Sequence, residues 1–211
     1  MSKDVIIIGA GGHAKVIADI VLSSGDNLMG FLDDDDAKQG EVIFKKYKVI
    51  GKTSDSYKYE GKYFVVAIGD NHIRAKIVDK YNRLMWYTAV HPRAVIADTV
   101  KIGDGTVVMA GVIVNSDTTI GKHCILNTAC SIDHDNVIGD YVHLSPGANL
   151  AGTVSVGDYS WICIGALVIN NIKITGDVVL GAGATAISDV DESGVYVGTP
   201  ARKIYKELIY F

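Results

Sequence analysis

The sequence predicts a chain of two parts, an α/β N-terminal half-Rossmann domain followed by a solenoid of parallel β-strands built from hexapeptide repeats. An aliphatic residue recurs at every sixth position from Ile96 to Leu180 without a gap. Residues 1–90 lack this period and begin with a short apolar run that ends in a glycine-rich turn. A length of 211 residues accommodates two small domains, which we place at 1–90 and 91–211.

The six-residue period identifies the second part as a triangular solenoid. It fits neither an amphipathic helix nor a flat strand, but it fits a chain that turns a corner after each short strand and points one aliphatic side chain inward. Fifteen repeats at three sides per coil predict five coils. The position two residues before each aliphatic should also face inward, because a narrow interior requires small or β-branched side chains. These positions hold Thr106, Val112, Thr118, Cys124, Cys130, Val142, Ala148, Val154, Ser160, Ala166, Val178 and Ala184.

The first part begins with a predicted strand, a glycine turn and a helix. Residues 4–8 are apolar, the motif Gly9-x-Gly11-Gly12-His13 follows them, and a helical pattern extends to residue 24. Glycine lets the backbone approach an anion, and the free N–H groups at a helix N-terminus point at it. The motif therefore predicts a phosphate site.

Two further strands are expected at 27–32 and 63–68. Asp33 and Asp34 follow the first of them, where a Rossmann-like fold meets a ribose hydroxyl, and Gly69 follows the second. Asp35 and Asp36 are interpreted as a solvated loop. About 90 residues hold one half of a doubly wound fold, with room for one nucleotide and its diphosphate. The domain size therefore favours a nucleotide diphosphate over NAD.

Composition excludes several classes of protein. A net charge of −4 argues against a nucleic-acid-binding face, and no apolar run reaches the length of a membrane span. Three cysteines, two of them at inward solenoid positions, do not make a disulfide framework. We therefore expect a cytoplasmic protein with neither a nucleic-acid partner nor a membrane partner.

The order of motifs resembles one protein family along the whole chain. The motifs are Gly9-x-Gly11-Gly12-His13, then Phe31-Leu32-Asp33-Asp34, then residues 67–74, then the solenoid with its closing turn Gly198-Thr199-Pro200-Ala201. This arrangement is similar to the sialic acid O-acetyltransferase and nucleotide-aminosugar N-acetyltransferase family, which includes enzymes of bacillosamine, perosamine and viosamine biosynthesis.

The resemblance has several implications for the chain. It implies a left-handed solenoid, although parallel crossovers are right-handed almost everywhere. It also implies a homotrimer, acetyl-CoA as the co-substrate and no metal. Residues 1–90 would then be a Rossmann-like nucleotide-sugar-binding domain, and residues 91–211 a left-handed β-helix acetyltransferase domain with a C-terminal tail. The residues implied to contact the nucleotide sugar are Gly11, Gly12, His13, Asp33, Asp34 and Gly69.

His134 is the expected general base. It is a corner residue of the solenoid, flanked by Asp133 and Asp135. An imidazole has an ordinary pKa of roughly 6.5, and a neighbouring carboxylate raises its basicity and holds one tautomer. The resemblance implies that Asp135 is the orienting acid, while the residues themselves leave Asp133 open as the alternative.

The resemblance places acetyl-CoA on the solenoid wall. His143 projects from a flat outer face and is implied to contact the acetyl-CoA carbonyl region, with Asn127 as a polar partner. Gly152 lies one coil after His134 and is expected to leave space for pantetheine. Ile164 and Ala182 are implied to line the same slot.

Two histidines and one cysteine are expected to have no direct role in the reaction. Solvent exposure is the preferred interpretation for His91 and His123. Cys163 points outward but has no histidine beside it in the sequence, so direct attack on the thioester is favoured over a covalent intermediate.

Outward aliphatic positions predict assembly. Val107, Ile113, Ile125 and Leu167 would leave an apolar flank on a monomer, which neighbouring copies would bury. The active sites would then lie between subunits.

The expected function is an acetyl-CoA-dependent N-acetyltransferase that acts on a nucleotide-linked 4-amino-4,6-dideoxyhexose for surface glycan biosynthesis. An O-acetyltransferase that acts on a sugar or on sialic acid is the alternative, because one base serves both reactions. A non-catalytic sugar-nucleotide sensor is disfavoured by the His134 and Asp135 pair, and an NAD-dependent oxidoreductase by the domain size.

Overall fold

The computed structural model describes residues 2–205, so residues 206–211 of the expected C-terminal tail lie outside the described residues. The elements of the small domain are β1 Asp4–Ile8, α1 Gly12–Ser23, β2 Asn27–Leu32, β3 Val42–Phe44, β4 Tyr47–Gly51, β5 Tyr63–Val66, α2 Asn71–Lys80 and β6 Met85–Trp86, with 3₁₀ turns at Asp36–Lys38 and Thr53–Tyr59. Its strands form a six-stranded sheet with the order β3-β4-β2-β1-β5-β6. The β3–β4 pair is antiparallel, and the other pairs of this sheet are parallel.

Strand β1 is the centre of this sheet because both of its faces are apolar. Ile7 packs in the cluster that contains Ile17 of α1, whereas Ile6 and Ile8 pack with Val78 of α2. The carboxyl ends of β2, β1 and β5 lie side by side, since these strands are parallel neighbours. That edge of the sheet brings together the three strand-end motifs predicted from the sequence.

The strands predicted at 4–8, 27–32 and 63–68 and the helix after the glycine turn are present, whereas β6 was not predicted. Strand β5 ends at Val66, two residues before the expected end, and the β3–β4 hairpin was not predicted. The hairpin turns at Lys45, which adopts a positive φ of 51° without the glycine or asparagine that normally marks such a turn.

The solenoid has three faces, each a parallel sheet whose strands lie one coil apart. The strands of the first face are Ala89–Val90, Val107–Val108, Ile125–Leu126, His143–Leu144, Trp161–Ile162 and Val178–Leu180, continued by Gly194–Val197 and the antiparallel Arg202–Ile204. Those of the second face are Val95–Ile96, Ile113–Val114, Ser131–Ile132, Asn149–Leu150, Leu167–Val168 and Thr185–Ala186. Those of the third face are Lys101–Ile102, Thr119–Ile120, Val137–Ile138, Ser155–Val156 and Lys173–Ile174.

The hexapeptide period is confirmed as the cause of this architecture. Five complete coils extend from Ala89 to Ile174, and all of the small inward residues predicted from the sequence are buried. The corners repeat one backbone feature every six residues, a left-handed residue such as Asp117, His123, Ala129 or Asp135. The fold is an α/β half-Rossmann domain joined to a left-handed parallel β-helix, as expected.

The small domain packs on the first face of the solenoid. Helix α1 shares its apolar cluster with Ala89, and the Ser24 hydroxyl donates to the carbonyl of Val90 over 2.9 Å. This packing corrects one expectation, because Val107 and Ile125 are each 1% exposed and are therefore not available to a neighbouring copy. Ile113 and Leu167, on the second face, are both 43% exposed. Among residues 2–205, no helix has the length and apolarity needed to cross a membrane.

Candidate active site

We name the three edges of the prism by the faces they join. The 1–2 edge contains Asn127, Ile164 and Ala182, and the 2–3 edge contains residues 133–135 and Gly152. The 3–1 edge contains His123, Tyr141, Tyr159 and Asp177, one from each of four successive coils.

His134 and Asp135 form a paired base and acid on the 2–3 edge. Nδ1 of His134 lies 2.7 Å from Oδ2 of Asp135, and both side chains are 57% exposed. Asp133 anchors the turn instead, since its Oδ1 accepts from the His134 backbone N–H over 2.8 Å. The hydrogen bond to Asp135, followed by the charge of Asp133, raises the pKa of His134 above its ordinary value. The contact to Nδ1 leaves Nε2 to accept a proton from a substrate.

Gly152 lies directly under this imidazole. A Cβ atom placed on Gly152 would come within 2.6 Å of Cε1 of His134. The missing side chain therefore accommodates the His134 ring. Ile164 and Ala182 lie on the 1–2 edge, so within one chain Gly152 does not share an edge with them, and its expected place beside pantetheine stays a prediction.

His143 lies on the first face with Asn127 beside it. Its ring stacks on Trp161 at a centroid distance of 5.7 Å, and its Nε2 lies 3.3 Å from Nδ2 of Asn127. Oδ1 of Asn127 accepts from the Thr128 N–H, so Nδ2 must donate to Nε2 and the ring proton of His143 resides on Nδ1. Burial, with smaller effects from Arg74 and His13, lowers the pKa of His143 to about 3. This imidazole is therefore a neutral donor.

The predicted nucleotide residues meet at the carboxyl edge of the small sheet. An added Cβ at Gly11, Gly12 or Gly69 would contact nothing within 4 Å, so these glycines face open space. Asp33 accepts from the Ala10 N–H over 2.8 Å, and Asp34 accepts from the Thr53 N–H over the same distance. Both carboxylates thus face this edge and also hold its backbone in place by hydrogen bonds.

His13 lies deeper than the glycines of its motif. Burial and the charge of Arg74 lower the pKa of His13 to about 4. Its Nε2 atom is shielded from solvent and finds no hydrogen-bond partner within residues 2–205, and the same is true of Nδ1 of His143. Both imidazoles belong to the junction between the two domains.

A cavity of about 460 Å³ occupies this junction. Gly69, Asp70, Asn71 and His72 line it from the small domain, and His143, Tyr159, Trp161, Asp177 and Val179 line it from the solenoid. His72 bridges the two sides, because its Nε2 lies 2.8 Å from Oδ1 of Asp177 while its ring stacks on Tyr159. A second cavity, of about 500 Å³, lies among Tyr57, Lys80 and Arg83 and contains none of the predicted site residues.

Sequence reasoning missed the residues that join the domains. Arg74 and Asn71 of α2 bond to backbone carbonyls of the solenoid, and His123, which was expected to be exposed, is 3% exposed. His123 is buried because its ring lies between Trp86 and Tyr141 under the small domain. The signal available in the sequence was the spacing of His123, Tyr141 and Tyr159, which is one coil each time.

Cys163 does not support a covalent route. It is 5% exposed, and burial raises the pKa of its thiol to about 11. A nucleophilic cysteine needs the thiolate form, which this environment disfavours. Within the described part of the chain, no cluster of three or more potential metal ligands is present.

Comparison with known proteins agrees with this architecture. Residues 4–81 match the family described as the PglD N-terminal domain. UDP-N-acetylbacillosamine N-acetyltransferase of Bacillus subtilis (strain 168) is 36% identical over 112 residues, 51% of this chain and 52% of that protein. The chain thus matches about half the length of that curated relative, and 24% of another, protein L142 of Acanthamoeba polyphaga mimivirus.

Two solved structures are similar over almost the whole chain. A mutant of GDP-perosamine N-acetyltransferase from Caulobacter crescentus, in complex with CoA and GDP-perosamine, is 35% identical with a TM-score of 0.90 and covers 96% of this chain and 97% of that one. The acetyltransferase domain of PglB from Neisseria gonorrhoeae FA1090, in complex with acetyl coenzyme A, is 33% identical with a TM-score of 0.90 and covers 97% and 100%.

The solenoid and the small α/β domain together have the architecture of the hexapeptide-repeat acyltransferase class. Within that class, the chain belongs to the nucleotide-sugar N-acetyltransferase family of the bacillosamine and perosamine enzymes. The family predicted from the sequence is confirmed.

Proposed function

We propose that this protein transfers the acetyl group of acetyl-CoA to the amine of a nucleotide-linked 4-amino-4,6-dideoxyhexose, for surface glycan biosynthesis. The observation that carries the proposal is the 2.7 Å contact between Nδ1 of His134 and Oδ2 of Asp135, which orients a basic imidazole at an exposed corner. Acetyl-CoA and nucleotide sugars are cytoplasmic metabolites, so the reaction would take place in the cytoplasm.

The chemistry needs one proton acceptor and a positioned thioester. As the sugar nitrogen attacks the thioester carbonyl and forms the C–N bond, Nε2 of His134 takes the proton from that nitrogen. The tetrahedral intermediate collapses, the C–S bond breaks, and the CoA thiolate leaves with the proton from the imidazolium. His143 is suited to positioning the acetyl group, because Asn127 and Trp161 hold its neutral ring in place on the first face.

The two ligands are assigned to separate parts of the chain. The nucleotide sugar would lie at Gly11, Gly12, His13, Asp33, Asp34 and Gly69. The open space at the three glycines supports a diphosphate beside the N-terminus of α1. Acetyl-CoA would lie along the 1–2 edge, where Ile164 is 58% exposed and Ala182 is exposed.

The active site would be completed between copies in a homotrimer. His134 lies on the 2–3 edge, whereas the small domain, the junction cavity and His143 lie on the first face and the edges beside it. A sugar on the small domain therefore faces away from the base of its own chain. The exposed Ile113, Leu167 and Val95 of the second face provide apolar surface for the contact between copies.

Purified protein incubated with acetyl-CoA and UDP-, dTDP- or GDP-linked 4-amino sugars tests the proposal. With one of these acceptors we expect release of free CoA thiol and an acetylated nucleotide sugar, identified by its mass. The matched controls are the same nucleotide sugars with a hydroxyl group in place of the amine, and the His134→Ala variant. Acetylation of the hydroxyl compounds alone would replace the N-acetyltransferase with an O-acetyltransferase.

A further inference from the structure

Arg74 is a buried cation, and each of the five N–H groups of its guanidinium donates a hydrogen bond. The residue is 1% exposed and belongs to α2, the helix that faces the solenoid. Nε donates to the carbonyl of His123 (2.8 Å), Nη1 to the carbonyls of Ile68 (3.0 Å) and Gly69 (3.1 Å), and Nη2 to Oδ1 of Asn71 (2.8 Å) and the carbonyl of Tyr141 (2.8 Å). The guanidinium has five donors in a fixed fork, so its hydrogen-bonding capacity is filled.

The partners of Arg74 come from both domains, and in the described part of the chain none of them is a carboxylate. Ile68 and Gly69 follow β5, and His123 and Tyr141 lie on the 3–1 edge. A buried charge is costly unless it is well bonded, and a buried apolar side chain would join two domains at a lower cost. A buried arginine at this junction therefore costs more free energy than a purely structural contact requires.

The bonds fix one wall of the junction cavity against the other. Gly69 lines the cavity from the small domain, and its carbonyl is one of the two strand-end acceptors of Arg74. Asn71 extends the same connection, because its Nδ2 donates to the carbonyls of Tyr159 (2.9 Å) and Ser160 (3.2 Å). Tyr159 and His143 line the opposite wall.

We propose that Arg74 is a positioning residue for acetyl transfer, which sets the distance between the Gly69 segment that holds the nucleotide sugar and the solenoid wall that carries His143. The proposal rests on the proposed function for its catalytic consequence. A displacement of about 1 Å between reacting groups can cost on the order of 10²-fold in rate, which makes a rigid connection between the two walls valuable.

The charge of Arg74 has a second effect on the same cavity. After burial itself, Arg74 is the next cause of the low pKa of both His143 (about 3) and His13 (about 4). The charged or titratable groups that act on His143 are Arg74 from α2 and His13 from α1. The charge of Arg74 thus disfavours protonation of His143, which lines the cavity, and of His13 nearby in the junction, in addition to its geometric role.

Two substitutions separate the geometry from the charge. Arg74→Lys keeps the positive charge but supplies at most three donors from one atom, so it cannot reach all five acceptors. Arg74→Met keeps much of the apolar length and removes the charge. Arg83→Lys, at an exposed position, is the matched control. Each variant is assayed for kcat and KM with both substrates, and the histidine rings are titrated by NMR.

For Arg74→Lys we expect kcat/KM for the nucleotide sugar to fall by on the order of 10²-fold, with the KM for acetyl-CoA and the titration of His143 unchanged. For Arg74→Met we expect the same kinetic loss and, in addition, a rise in the pKa of His143. Kinetics of Arg74→Lys equal to those of the wild type would overturn the positioning role. An unchanged His143 titration in Arg74→Met would overturn the electrostatic role.

A second variant protects the test against misfolding. If Arg74→Met does not fold, Asn71→Ala takes its place in the test. This variant removes one acceptor of Arg74 and both hydrogen bonds to the coil at Tyr159 and Ser160, and it keeps the charge of Arg74. It should reproduce the loss in kcat/KM for the nucleotide sugar, and wild-type kinetics would again contradict the proposal. If the wild-type protein acetylates no amino-sugar nucleotide, the proposed function fails, while the histidine titrations still report on Arg74.

Discussion

Gly152 lies beneath the His134 ring so closely that a Cβ atom would come within 2.6 Å of Cε1. Contacts this short do not occur between a side chain and a ring, so any larger residue at this position must displace the imidazole. The proposed base therefore depends on a glycine one coil further along the chain.

The first prediction follows from this contact. We expect Gly152→Ala to lower kcat by on the order of 10²-fold, because the displaced ring no longer meets the substrate amine. A raised KM for acetyl-CoA in addition would support the predicted place of Gly152 beside the cofactor. The control is the double variant with His134→Ala, whose kcat should match that of His134→Ala alone. An additive loss in the double variant would assign Gly152 a role that is independent of the imidazole.

The second prediction concerns the base itself. We expect His134→Ala to lower turnover by on the order of 10²- to 10⁴-fold with both ligands still bound, because only proton transfer is removed. Ligand binding is measured by calorimetry and turnover by thiol release. A variant with wild-type kcat would remove His134 from the mechanism.

The third prediction uses the pH profile. The pKa of His134 is raised by Asp135 first and Asp133 second, and only the neutral ring accepts a proton, so activity should fall on the acid side at a pH above the ordinary imidazole pKa. Asp135→Asn removes the stronger cause and keeps a residue type that tolerates the left-handed backbone at this position. The acid limb of kcat/KM should therefore move to lower pH.

Asp133→Asn is the matched variant for the pH profile and should move the acid limb less. A larger displacement in Asp133→Asn than in Asp135→Asn would transfer the orienting role to Asp133.

The fourth prediction tests the assignment of the two ligands. Gly12→Val should fold, since its Cβ meets no atom within 4 Å, and it should raise the KM for the nucleotide sugar by on the order of tenfold or more by obstructing the phosphate. Binding of CoA alone should be unaffected. Loss of CoA binding with the assembly intact would place the cofactor diphosphate at this turn instead.

The fifth prediction tests the shared active site. Chains that carry His134→Ala and chains that carry Gly12→Val are each impaired, but in mixed trimers the base of one chain can serve the nucleotide site of the other. Random mixing in equal amounts should restore about a quarter of wild-type activity if each site draws on two copies of a symmetric oligomer. Mixing that restores no activity would place the complete site within a single chain.

The sequence by itself determined the solenoid, because its period is a local property. Each corner is set by six consecutive residues, so the positions of the inward side chains, the left-handed corner residues and the adjacency of Asp133, His134 and Asp135 all follow from the chain order. The strand-end motifs of the small domain were predictable for the same reason, since parallel neighbours must end at one edge.

Only the tertiary structure decided how the domains meet. Arg74 reaches carbonyls 49 and 67 residues away, and Asn71 reaches one 88 residues away, so no local pattern contains these contacts. The same packing buried Val107, Ile125 and His123, which resemble exposed positions when the hexapeptide period is considered alone. It also placed His134 on the edge away from the junction cavity. The physical reason is that a repeat specifies which residues face outward from the solenoid. Which of these residues another part of the protein covers is decided by contacts between residues that are far apart in the sequence.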